Sequence, residues 1–146
     1  MKTSHESPIV VLVSRLLAPF IQLFALYVIF HGHYSPGGGF QGGTILAASV
    51  ILMRLAVGEQ AGNLQFRRSW SSKLSATGVF IYALTGIVAM LLGGMYLDYK
   101  FLPIPGLTDA ETRAMGILMV EIGVAIGVMA TMISIYDDLL EEHYND

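Results

Sequence analysis

The sequence predicts an all-α fold, an integral membrane bundle of four transmembrane helices, on three observations. Hydrophobic residues make up 54% of the 146-residue chain and charged residues only 13%, against about 25% charged in an ordinary soluble domain. The mean hydropathy is +0.63. A soluble fold of this length leaves about 30% of its surface wet, too much to keep so many apolar side chains dry. The apolar residues also fall in four long runs without two-residue alternation, and an open sheet cannot sit in lipid.

A helix needs about 20 apolar residues to cross a hydrocarbon core about 30 Å thick. The first run, residues 9–31, follows the segment MKTSHESP. It is too long for a signal h-region and lacks a small-residue cleavage site, so it is expected to persist as a helix. The other runs are residues 40–57, which is short, 76–97 and 114–136. Between them lie a breaker-rich turn at 31–39, a polar basic loop at 58–75, and a loop at 98–113 holding Pro103, Pro105 and Gly106. The tail 137–146 is acidic, with Asp137, Asp138, Glu141, Glu142 and Asp146, and is expected to be solvated. Residues 1–146 read as one transmembrane domain.

Lys and Arg in short loops set orientation. Arg67, Arg68 and Lys73 mark the second loop, Lys100 and Arg113 the third, and the first carries none. The Arg67 loop, both termini and the acidic tail are therefore expected on the cytoplasmic side, with the glycine-rich turn outside. Arg15 and Arg54, near helix ends, are expected to snorkel, with a buried ion pair as the alternative for Arg15. Gln22, near mid-membrane, reads as a helix-to-helix hydrogen bond. Tyr27, Tyr34, Trp70, Tyr96, Tyr99 and Tyr136 read as interfacial anchors.

Composition narrows the function classes. The net charge of −3 argues against nucleic acid, whose phosphates need a basic field. The chain has no cysteine, which removes disulfides, thiolate metal sites and a Cys nucleophile. His31 and His33 alone do not make a metal site. No Ser-His-Asp pattern, carboxylate dyad or cofactor fingerprint can be assembled, so neither an enzyme nor a cofactor carrier is expected.

Glu121 demands an explanation. It lies about 10 Å into the fourth run, and an ionisable group at that depth faces protein or water, not lipid. It reads either as a proton or cation site or as a buried acid hydrogen-bonded for stability alone. The same run carries small residues at Gly116, Gly123, Gly127, Ala130 and Ser134, with Gly123–Gly127 a GxxxG pair suited to close helix contact. Glu121 lies roughly 120–180° around the helix from that stripe. Both faces want non-lipid neighbours, and one of them is expected to meet another subunit.

The most unusual string is HGHYSPGGGFQGG, residues 31–43, with five glycines in the seven residues 37–43. Such density permits close backbone approach. Without a GK[ST] ending or a preceding strand it is not a nucleotide loop. It reads as a tight or re-entrant turn against another helix. His33 joins Glu121 as a candidate for an ion or proton path, because an imidazole can relay protons near neutral pH.

The stretch GHYSPGGGFQGG, residues 32–43, resembles the hallmark of the MnhB-type domain family, the B subunits of the Mrp-type multisubunit sodium/proton antiporters. That family looks like GHxxPGGGFxGG at the end of its first helix, followed by a helix of small residues, here TILAAS at 44–49. Gly32, His33, Pro36, Gly37, Gly38, Gly39, Phe40, Gly42 and Gly43 stand at the motif positions. Length and helix number fit the same plan. The resemblance implies a small component of an Na+/H+ antiporter in the cell membrane, with the A, C, D, E, F and G subunits as partners and sodium ions and protons as cargo. The large A and D subunits of that family are similar to the proton-pumping subunits of respiratory complex I. Glu121 is not part of the resemblance. Related domains in membrane-bound hydrogenases leave a redox-driven ion pump as the alternative parent complex, and purely structural assembly as the alternative role.

Overall fold

The computed structural model describes residues 7–32, 34, 37–58 and 63–145, with side chains through Leu140. Among these residues all regular structure is helical: α1 Pro8–Phe30, α2 Gly39–Val57, α3 Ser71–Leu91 and α4 Asp109–Asn145, with 3-10 turns at Arg68–Trp70 and Tyr99–Phe101. All four helices are long and apolar enough to cross a membrane.

Local chemistry sets the helix ends. Pro8 opens α1, where its missing N–H costs nothing and its fixed φ is helical. Thr108 and Glu111 form a capping box at the start of α4: the Thr108 N–H donates to Glu111 Oε2 at 2.8 Å, and the Glu111 N–H donates to Thr108 Oγ1 at 3.4 Å. The Thr108 N–H, then its hydroxyl, hold the Glu111 carboxyl below the usual carboxylate range.

Two helices differ from expectation. The third starts at Ser71 and stops at Leu91, not at residue 97. Gly93, at φ 94°, donates its N–H to Met90, and the Gly94 N–H donates to the Ala89 carbonyl. This is a Schellman stop, and only glycine takes its left-handed turn readily. The fourth helix begins at Asp109 and continues to Asn145, so most of the acidic tail is helical.

The helices form an open row in the order α1, α2, α4, α3. Extensive contacts join α1 to α2, α2 to α4 and α4 to α3, and only a thin contact joins α1 to α4. Neighbours in sequence run antiparallel, which makes α2 and α4 a parallel pair at the centre. The contacts Gly39–Glu121, Gly43–Ala125 and Arg54–Asp137 keep this pair in register from end to end. A core of Ala47, Val50, Phe66, Ala130 and Ile133 fills its lower half. The outer helices turn large apolar side chains outward, among them Leu16, Phe20 and Leu23 on α1 and Phe80, Ile87 and Leu91 on α3. Those surfaces suit lipid.

Candidate functional site

Gly32 and Gly38, on either side of the glycine-rich turn, both lie against Glu121. A β-carbon on Gly32 would stand 2.5 Å from Glu121 Oε2, and one on Gly38 would stand 2.8 Å from Oε1. Gly39, the first residue of α2, lies against the main chain of Glu121, with a β-carbon there 2.8 Å from its carbonyl carbon. No residue with a side chain fits these places without displacing the carboxylate or α4. Gly38 is also at φ 146°, a conformation that L side chains rarely adopt. The loop and the half-buried acid, two separate signals in the sequence, are therefore parts of one site. His33 and Pro36 lie outside the described residues.

Glu121 borders a cavity of about 360 Å³ walled by Gly37, Gly38, Gly39, Phe40, Gln41, Val120 and Val124. A carboxylate beside such a cavity can hold a proton or a small cation. Tyr99 stands near on the α3–α4 connection. Burial, and then the neighbouring Tyr82, Tyr96 and Glu121, push its phenol above the usual range. Tyr96 and Tyr82 meet edge to face at 6.3 Å, so phenols cluster at the Glu121 end of the molecule.

A model of the domain related to the MnhB subunit of Na+/H+ antiporters matches residues 9–134. The chain belongs to this family. It is similar to the B subunit of the Na+/H+ antiporter of Alkalihalophilus pseudofirmus, 32% identical over 126 residues, covering 82% of this chain and 87% of that one. The corresponding antiporter chain of Bacillus subtilis is 30% identical over 130 residues, again covering 82% of this chain and 87% of that one. An uncharacterized protein of Methanocaldococcus jannaschii is 35% identical over 102 residues, which cover 70% of this chain and 38% of that longer protein.

Within this MnhB-type chain the remaining motif glycines seat α2 between its neighbours. Gly42 faces α1, where a β-carbon would stand 2.9 Å from the Ala25 carbonyl oxygen, and Gly43 faces α4, 2.6 Å from that of Ala125. Phe40 is exposed. Of the small residues on α4, Gly123 packs on Gly78 of α3, whose own β-carbon would stand 2.5 Å from the Gly127 nitrogen, whereas Gly116 makes room for the Tyr99 ring.

The stripe of small residues and Glu121 lie on different faces of α4: Gly123 packs on Gly78 of α3, Glu121 lies at the α2 end of the glycine turn, and Gly127 lines an open groove between α3 and α4. One expectation is corrected here. Arg54 does not snorkel. It is 5% exposed, paired with the equally buried Asp137, and its Nη2 donates to the Phe66 carbonyl at 2.8 Å. The continued helix carries Asp137 to the end of α2, and a buried guanidinium is held there by a carboxylate and a carbonyl. Arg68 pairs similarly, on the surface, with Asp138 at 3.1 Å. Arg15 is exposed and Gln22 half-buried.

Gly78 and the Arg54–Asp137 pair were not singled out by sequence reasoning. A small-residue position on α3 opposite Gly123 was open to reading as half of a close helix crossing. Nothing local marks Asp137 out among five tail acids.

Proposed function

We propose that this chain is a small membrane component of a multisubunit Na+/H+ antiporter, with the other antiporter subunits as partners. It serves assembly through its helix row, and Glu121 serves the ion or proton path. The observation that carries the reading is the seating of the Glu121 carboxylate between Gly32 and Gly38, two positions of the glycine motif. A motif kept only to turn the chain needs no acid beneath it, and an acid kept only for stability needs no cavity. Burial raises a carboxylate's proton affinity and a nearby cation lowers it, the competition that coupled exchange requires. The Arg67 loop and both termini face the cytoplasm, and the glycine turn faces outside, by the distribution of Lys and Arg.

A tag on the C-terminal tail and mild extraction test the parent complex: large complex-I-like subunits should copurify with several small hydrophobic chains. Redox subunits in their place would move the chain to a hydrogenase-type pump. Glu121→Gln in the intact complex tests the site. Normal assembly with antiport lost, or shifted in pH dependence, is expected. Unchanged transport would leave the chain a purely structural role.

A further inference from the structure

We infer that Glu121 exchanges its proton or cation sideways, through the opening between Phe40, Gln41 and Val124 onto the α3–α4 face, and not along the seam between α2 and α4. The inference rests on the proposed role of Glu121 and adds the route by which that site is reached.

The seam is shut directly beneath the carboxylate. Gly39 lies on the backbone of Glu121, and one turn further a β-carbon on Gly43 would stand 2.6 Å from the Ala125 carbonyl oxygen. Where a methyl group does not fit, neither water nor a hydrated ion passes. Beyond that contact Ala47, Val50, Ala130 and Ile133 are almost wholly buried. The next charged groups on the seam, Arg54 and Asp137, already face each other. About 24 Å of helix separates Asp137 from Glu121.

The side is open. The cavity at Glu121 is walled by Phe40 and Val124, and the same two residues wall a groove of about 470 Å³ that runs between α3 and α4 past Tyr82 and Thr131. The two spaces thus adjoin across one aromatic ring and one valine. The ring is 63% exposed, so it borders the opening without being locked in a core. The groove wall is almost wholly apolar, and the Ser75 and Thr131 hydroxyls on it are bonded to each other at 2.9 Å. An ion leaving Glu121 this way would move along the surface of the row, where the remaining wall of the route lies outside this chain.

The absence of native cysteine makes the test direct. Single variants Val124→Cys, Gln41→Cys, Ala47→Cys and Leu23→Cys are made in the full complex and treated with a small membrane-impermeant thiol reagent. Labelling is read by mass, independently of transport. A thiol reacts as its thiolate, which forms in water and is suppressed in a dry core or in lipid. Cysteines at 124 and 41 should label at least about tenfold faster than those at 47 and 23. Labelling at 47 equal to that at 124, or inert thiols at both 124 and 41, would overturn the lateral route. Fast labelling at 124 with antiport unaffected by Glu121→Gln would uphold the route and remove the role of Glu121.

Discussion

Gly39 lies flat against the main-chain carbonyl of Glu121. This contact joins the first residue of α2 to a point about 10 Å into the membrane-spanning part of α4, and it fixes where the carboxylate sits in the glycine turn. Gly39→Ala forces α2 and α4 apart and should cost about 2 kcal/mol or more. Gly37→Ala, whose β-carbon would meet only the flexible end of Gln41 and one methyl of Val28 at 3.3 Å, should cost less than about 1 kcal/mol. Thermal unfolding in detergent compares the two, and equal losses would show that the turn tolerates no side chain anywhere.

The crossing of α3 on α4 gives a second contrast. A β-carbon on Gly78 would stand 2.5 Å from the Gly127 nitrogen, whereas one on Gly127 finds its nearest neighbour at 3.8 Å. Gly78→Ala should therefore loosen α3 and expose it to limited proteolysis, while Gly127→Ala should be neutral. The asymmetry matters because the two glycines face each other and look equivalent on a helical wheel.

Removing one partner of the buried Arg54–Asp137 pair strands the other charge. Arg54→Leu or Asp137→Leu alone should cost about 3–5 kcal/mol, and the double variant should recover much of that loss. A double-mutant cycle on chemical stability measures it. Additive losses would show that the two side chains do not interact across the seam.

Glu111 sets a pH dependence. Its carboxyl is held below the usual range by the Thr108 N–H and hydroxyl, so the charged form stabilises the start of α4. That contribution is present above the ordinary glutamate pKa and is lost as the pH falls through the lowered folded value. Glu111→Gln should lower the melting temperature slightly at neutral pH, and the two proteins should converge in acid. A difference that persists at low pH would assign the effect to the glutamine itself.

The spans were legible in the sequence because hydropathy over about 20 residues reports the thickness of a bilayer. The glycine turn was legible because five glycines in seven residues are rare outside a place of close approach. The end of α3 was legible in principle from Gly93–Gly94, but the apolar run continued past it through Met95 and Leu97 and carried the expected boundary to 97. Arg54 and Asp137 were misread for a related reason. Each is an ordinary charge at a helix end until its partner is known.

The sequence by itself determined that the chain crosses the membrane four times, that one turn admits close backbone approach, and that one acid lies too deep to face lipid. Only the tertiary structure decided that α4 stands between α2 and α3, that the acid lies inside the turn, and that Arg54 meets Asp137. The physical reason is that lipid and protein neighbours are both apolar, so helical periodicity shows which face seeks a partner without naming it. The partner is named by register: α2 and α4 run parallel in step, and that alignment brings Gly39 to Glu121 at one end and Arg54 to Asp137 at the other.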